Sequence, residues 1–510
     1  MSSTQNNRRI ARNTLFLYFR MILILGVNLY ASRVILRMLG VEDVGIYNAV
    51  GSIVTMMAFI SSALSAATSR YLTFELGRGS LAEVERVFRV SSTIYYIFIL
   101  VVLLFAETAG LWVVRTQLTI PPQRFAAAMW CFQLSIVTFV LSFLTIPYNA
   151  LIIAHERMNA FAYISIFDAL ARLGVLYLLP VLMADRLEAY ALLLCCVQAS
   201  LCVMYAAYCF RHFSETNARP LFDRSLSRQL GAYAGWSIFG YTAFVGCNQG
   251  LNILLNHFFN PVVNAARMFA LQVQSAVTQC YYNFQLAVRP QVVKTYAQGD
   301  LDTMHQLVVK SGKYSYLLAL IIVAPVMAYT EPLLTLWLAT PPAHLVVFTR
   351  LTMVACLIGS LSQHTLMAIH ATGDIKRFQI AEGTSLLATL PLAYAAYKLW
   401  HCTPETIYAI YVAVEAFTQG VRIAIVYPRV GIPIRRFFTE ILGPILIVTA
   451  LTAAEVWAFA VYAVPGGTIT LLLNAALTAI ATLVSAYLLG LNSTERSVVH
   501  RFVAARIFKK

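Results

Sequence analysis

The sequence predicts an all-α polytopic membrane protein of about 14 transmembrane helices, arranged as two six-helix lobes in a parallel pseudo-two-fold repeat, with two further helices at the C-terminus. Three observations carry this. Of 510 residues, 60% are hydrophobic and only 12% charged, with a mean hydropathy of +0.72, whereas a water-facing domain carries about 25% charged residues. Apolar runs of ~20 residues, the length a helix needs to cross the hydrocarbon layer, recur along the chain, and the alternating segments of an outer-membrane barrel do not. Sequence marks also recur at an offset of about 220 residues, the sign of an internal duplication.

Taken in order, the apolar windows fall near 14–38, 46–68, 91–114, 125–152, 160–183, 188–210, 230–256, 265–288, 314–337, 344–370, 378–399, 406–427, 440–463 and 468–490. The first follows the basic residues Arg8, Arg9 and Arg12 and has no small-residue cleavage site behind it, so it reads as a retained span. In the duplication, Gly79-Ser80 answers Gly299-Asp300, Ile120-Pro121-Pro122 answers Thr340-Pro341-Pro342, and the turn at 154–159 answers 371–376. An even number of spans per copy makes the copies parallel. The expected division is 1–215 for the first lobe, 216–430 for the second, and 431–510 for two additional spans and a basic amphipathic tail. That tail interleaves Val498, Phe502, Ile507 and Phe508 with basic residues and suits an anionic membrane surface.

Lys and Arg number 37 against 22 Asp and Glu, a formal net charge of +15. Such an excess raises nucleic-acid binding for a soluble chain, but here its location matters. Arg70, Arg78, Arg86, Arg89, Arg224, Arg228, Lys310, Lys376, Arg435 and Arg436 gather in alternate connections, while the opposite ones hold little beyond Arg115, Arg124 and Arg186. The positive-inside rule then places both termini in the cytoplasm and removes the case for a nucleic-acid partner. The outer connections are about ten residues or fewer, too short for a catalytic domain, so no enzyme is expected. The nine cysteines lie mostly in apolar runs, away from any metal-ligand spacing, and no nucleotide-binding or nucleophile motif occurs. No cofactor or metal is implied, although coupling to a proton or sodium gradient, or to the membrane potential, stays open.

Function must then sit between the helices, where charge is costly: a centred ionised group costs ~2.5–3.5 kcal/mol on insertion scales. Arg20, Glu107, Asp168, Arg172, Glu382, Glu415, Arg422 and Glu455 all fall within predicted spans. Asp168 with Arg172, and Glu415 with Arg422, have the spacing of residues on one helical face and form buried ion pairs or coupling elements. Arg20 has no acid at such spacing in its own span and points to an aqueous cavity. Polar stripes accompany it: Asn48, Ser52, Thr55 and Ser62 in span two, Asn248, Asn252 and Asn256 in span seven, Gln272, Gln279 and Asn283 in span eight. Such stripes either glue helices together or line a cleft for a ligand with hydroxyls and an anionic group. Arg70 and Arg289, at matching helix ends, either anchor the cytoplasmic side or receive a diphosphate in bidentate forks.

The stretch from Asn13 to Arg20, then Leu39 to Asn48, then Ala63 to Arg70 and Phe74 to Gly77, resembles polysaccharide-repeat flippases of the Wzx type. These belong to the multidrug/oligosaccharidyl-lipid/polysaccharide exporter superfamily. Asn248 to Asn256 and Asn264-Ala-Ala-Arg267 support the same likeness, which covers roughly 8–430. The resemblance implies a MATE-like pair of lobes, alternating access, a bacterial inner membrane, and an undecaprenyl-diphosphate-linked oligosaccharide as cargo for O-antigen or capsule synthesis. It implies membrane lipids and polysaccharide polymerase or assembly proteins as partners. Arg20, Arg70, Asn248, Asn252, Arg267, Gln272, Gln279 and Arg289 are the candidate cargo-binding residues. The appended pair is closer to the lipid II flippase branch, so a peptidoglycan precursor remains an alternative. A MATE-like drug or cation exporter is the next rival, and a polymerase or ligase the rival from another class.

Overall fold

The computed structural model describes residues 3–55, 58–116, 120–181, 185–216, 219–259, 261–338, 340–461 and 467–497, and within these the side chains of 3–12, some between 29 and 59, and 261, 262 and 460 are not described. Residues 498–510 of the predicted tail (492–510), the side chains of the stripe positions Asn48, Ser52 and Thr55, and those of Arg8, Arg9 and Arg12 therefore lie outside the described residues.

Every regular element among the described residues is a helix. Helix α1 (Ser3–Thr55) is broken at Gly40, whose φ of 79° separates the first two predicted spans. It is followed by α2 (Ala58–Arg78), then α3 (Leu81–Phe105), which passes through a π-helical turn into α4 (Leu111–Thr116). Next come α5 (Phe125–Ala154), α6 (Met158–Leu178), α7 (Arg186–His212), α8 (Arg224–Phe258) and α9 (Pro261–Ala297). The chain continues with α10 (Leu301–Ala328), α11 (Thr330–Leu338), α12 (Leu345–Thr372), α13 (Lys376–Leu387), α14 (Thr389–Trp400) and α15 (Thr406–Val430). The single turn α16 (Ile434–Arg436), α17 (Gly443–Val461) and α18 (Thr468–Ser485) complete it. Nine helices among the described residues are long and apolar enough to cross a membrane. The other predicted windows are helical too. Those in α8 and α9 carry the amide and arginine residues that lower their hydropathy.

The chain forms two compact units, residues 1–238 with 293–300, and 239–292 with 301–510. Two of the divisions fall inside α8 and inside α9 and the third at the connection between α9 and α10, and α17 and α18 pack on α10 within the second unit. In unit 1, α5 packs broadly on α7, around Val114, Cys131, Phe132, Ile136 and Leu187. In unit 2, α12 packs in the same way on α15, around Leu251, Ala266, Phe348 and Tyr408.

The duplication is written in the backbone. Gly79 and Gly299 adopt φ of 77° and 76°, and each closes its helix with the same pair of bonds, Gly79 N to Leu76 O with Ser80 N to Glu75 O, and Gly299 N to Tyr296 O with Asp300 N to Thr295 O. This is the paired closure that a left-handed residue allows at a helix end. The turn after α5 places Glu156 at φ 58°, and the turn after α12 places Gly373 at φ 83°.

In unit 1 the end of α9 is held against α2. A Cβ on Gly77 would stand 2.9 Å from Lys294 Cα and O and from Ala297 Cβ. Lys294 Nζ meets Glu156 Oε1 at 2.8 Å, and Asn13 Nδ2 donates to Glu156 O. Since the crowding atoms include backbone, Gly77→Ala is expected to lower stability by ~1–3 kcal/mol, the usual cost of overpacking. A thermal denaturation midpoint unchanged from the parent would show that α9 can shift away freely.

Candidate functional site

In unit 1 the predicted functional residues lie on α1, α2 and α6. Arg20 of α1 lies half-buried with its guanidinium 4.5 Å from the centre of the Phe161 ring of α6. Two and three turns along α6, Asp168 Oδ1 accepts from Arg172 Nε at 2.6 Å, as the spacing predicts, but the pair is not buried: its side chains are 33% and 43% exposed, because this face of α6 looks away from the core of the unit. Tyr205 of α7 joins these elements: it lies within electrostatic reach of both Arg20 and Asp168 and beside Ser165. Arg172 in turn faces Tyr190 and Tyr47, whose rings meet edge-on at 5.1 Å.

Arg70 and Arg289 differ from expectation in one respect. Neither ends its helix: α2 and α9 each continue about two turns beyond. The sequence suggests an end there because apolar residues stop, but polar residues prolong the helix past that point. Arg70 lies over Tyr71 and Phe74 of its own helix at 4.6 and 4.7 Å, and Arg289 is half-buried.

Unit 2 holds a buried cation. Arg267 of α9 is 2% exposed. Its Nε donates to Asn252 Oδ1 at 2.6 Å, its Nη2 to Asn248 O and Oδ1 at 3.2 Å each, and Tyr408 lies 5.6 Å beneath it. Among the described residues no carboxylate pairs with it. Asn248 and Asn252 are thus brought together with Arg267, as the helical step of four allows. Gln272 and Gln279 are not: they turn to another side of α9 and are exposed. Asn283, on their face, is 1% exposed, and both its side-chain polar atoms are unbonded.

Beside this clasp, Arg422 of α15 reaches two acids. Its Nη1 meets Glu415 Oε1 at 2.7 Å and its Nε meets Glu382 Oε1 of α13 at 2.8 Å. The Glu415 partnership follows from the sequence. That of Glu382 does not, because it joins residues 40 apart on different helices; the available signal is that Glu382 needs a cation and none stands at helical spacing in its own span. Tyr411 lies within reach of Arg267, Arg422 and Glu415, so the clasp and the triad form one cluster. Two guanidinium groups balance two carboxylates there, and a proton on either acid leaves one positive charge in excess. Of the other intramembrane acids, Glu107 accepts from Gln133 at 3.3 Å and Glu455 from Ser485.

No family model matches the sequence, and no curated protein matches it. Solved structures do match. A MATE crystal structure in the bent conformation superposes with a TM-score of 0.73 at 12% identity, covering 84% of this chain and 98% of that one. The outward-facing conformation of a multidrug resistance MATE family transporter of the MOP superfamily gives 0.70 at 12% identity, with the same coverage of both chains. A MOP superfamily transporter from Pyrococcus furiosus, described by the reverse polarity of its binding pocket and a suggested different function, gives 0.70 at 11% identity, again covering 84% and 98%. At such identities the likeness is one of fold, and the architecture of this multi-pass membrane protein is that of the MATE-type transporters of the MOP superfamily.

Proposed function

We propose that the chain is a flippase that moves an undecaprenyl-diphosphate-linked oligosaccharide across the bacterial inner membrane by alternating access, with both termini cytoplasmic, for O-antigen or capsule-type polysaccharide. The observation that carries this reading is the sign of the interior charge. Arg20 places a guanidinium against Phe161 in unit 1, and among the described residues Arg267 is held in unit 2 by neutral groups, Asn248, Asn252 and Tyr408. A drug or cation exporter calls for unpaired acids beside its cargo, and the two acids next to Arg267, Glu382 and Glu415, are instead matched to Arg422; Glu107 and Glu455 are bonded to Gln133 and Ser485. The Pyrococcus furiosus neighbour, for which reverse polarity of the binding pocket suggests a different function, is consistent with a function other than drug export on this fold. A lipid II cargo shares the diphosphate and differs only in its sugar and peptide.

In this reading, the diphosphate is met by arginine forks, each charge-assisted bond contributing ~1.5–3 kcal/mol in a water-poor cleft. The Glu382–Arg422–Glu415 triad is the coupling element: a proton taken up by one acid frees positive charge for the anionic cargo. Asp168 with Arg172 is the candidate coupling pair of unit 1, although it does not occupy the repeat position of Glu415 and Arg422.

The test is surface-polysaccharide display in a flippase-null strain, with membrane abundance of each variant measured alongside. Arg20→Lys keeps the charge but not the fork and should retain partial display, while Arg20→Glu should abolish it at normal abundance. Normal display from Arg20→Glu would remove the arginine from the cargo path. Efflux of a lipophilic cation, with no polysaccharide phenotype, would instead select the exporter reading.

A further inference from the structure

The two copies of the repeat carry the same corner contact in different chemistry. In unit 1, Arg124 at the head of α5 pairs with Asp185, the N-cap of α7, and with Asp43 at 2.8 Å. In unit 2, His344 at the head of α12 pairs through Nδ1 with Glu405, the N-cap residue of α15. The partners are 61 residues apart in both cases. Each member of the second pair stands about 220 residues after its counterpart, the offset of the duplication. The contacts join the ends of α5 and α7, and of α12 and α15, the helices that pack most broadly in their units. A guanidinium is charged at every pH a protein meets, whereas imidazoles titrate between about pH 5 and 8.

We propose that His344–Glu405 is a proton-responsive clasp, which tightens the ends of α12 and α15 when the adjoining compartment is acidic and relaxes as it becomes alkaline, while Arg124–Asp185 holds α5 to α7 throughout. Protonated, the imidazole forms an ion pair with the carboxylate; neutral, it can donate only an uncharged N–H, and the contact loses its charge assistance. Glu405 supports this window. Burial pushes its carboxyl up, but the bonds from His344 and Thr403 outweigh that and hold it below the usual carboxylate range. It therefore stays ionised while an imidazole titrates, and its own contribution fades only as the pH falls further.

The other titratable groups around the pair come from α14 and the turn after it. Tyr397, whose hydroxyl donates to Pro404 O, lies within reach of Glu405 and of Cys402, and His401 stands four residues before Glu405. Arg350, the nearest cation along α12, donates to Thr330 instead. His344 also stacks on Phe348, which fixes the ring at the head of α12. In the proposed topology both corners face the outer compartment, on the acidic side of a respiring membrane. The duplication has thus left one unit with a fixed clasp and the other with a titratable one.

The experiment is hydrogen exchange of the intact protein in lipid nanodiscs between pH 5.5 and 8, corrected for the intrinsic dependence of exchange on pH. The pair is partly exposed, so its opening equilibrium should shift by about two- to five-fold over that range, confined to 340–350 and 403–410. His344→Arg should abolish the dependence and keep the low-pH protection. His344→Gln should give the high-pH behaviour at every pH, and Arg124→His should create a matching dependence at 120–128 and 185–190. Uniform protection in the parent protein, dependence surviving in His344→Arg, or its loss in a His401→Gln control would each overturn the assignment.

Discussion

Replacing Arg422 by methionine is expected to cost about 3–5 kcal/mol of stability, because it strands two buried carboxylates at once. The Arg422 side chain is 5% exposed, those of Glu415 and Glu382 7% and 17%. Removing one partner of such a cluster leaves uncompensated charge in a low dielectric, which costs more than the pair contributes when whole. The penalty should therefore be reversible by removing the other charges. The triple variant Arg422→Met, Glu382→Gln, Glu415→Gln should recover most of the lost thermal midpoint in detergent while failing to support transport. Single Glu382→Gln or Glu415→Gln variants should be less damaging, since Arg422 retains one acid. An Arg422→Met protein as stable as its parent would show that the triad carries no buried charge.

The second large effect concerns the appended helices. Lys313 of α10 meets Glu495 at 2.6 Å with both side chains 5% exposed. Glu495 also accepts from Asn492 N, while its own N–H donates to Asn492 Oδ1, both at 2.9 Å. This reciprocal bonding is a capping box, so Asn492 serves as a helix cap, and Glu495 serves the cap and the ion pair together. Nearby, a Cβ on Gly490 would stand 2.9 Å from Leu317 Cδ1, so the chain passes close to α10 there. Glu495→Ala should lose about 3–5 kcal/mol, chiefly by leaving Lys313 buried without a partner. Exchange protection should fall first at 467–497, and Lys313→Met added to Glu495→Gln should restore it. Unchanged protection in Glu495→Ala would mean that apolar packing of α17 and α18 on α10 suffices alone.

The residues divide by how far apart their partners lie. Asp168 with Arg172 and Glu415 with Arg422 are legible because three, four or seven residues return a helix to the same face, and the chain's period carries the information. The clasp of Asn248, Asn252 and Arg267 is half legible: the step of four aligns the asparagines, but only the packing of α8 on α9 brings the guanidinium to them. Glu382, Tyr205 and Glu495 reach their partners across helices distant in sequence, and no spacing rule connects them. Gln272 and Gln279 fail in the opposite way: they look like the same stripe as Asn248 and Asn252, yet helix rotation sends them elsewhere.

By itself the sequence determined that this protein is helical, membrane-spanning and duplicated. Those properties follow from hydropathy, from the rise of 1.5 Å per residue against a hydrocarbon layer of ~30 Å, and from glycines at repeating turns. Only the tertiary structure decided which charges neutralise one another and where Arg70 and Arg289 sit within their helices. It also decided that one corner of the repeat is closed by a guanidinium and the other by an imidazole. Hydropathy is a sum along the chain and is indifferent to rotation about a helix axis, whereas an ion pair in a low dielectric depends on the last ångström between side chains from different helices.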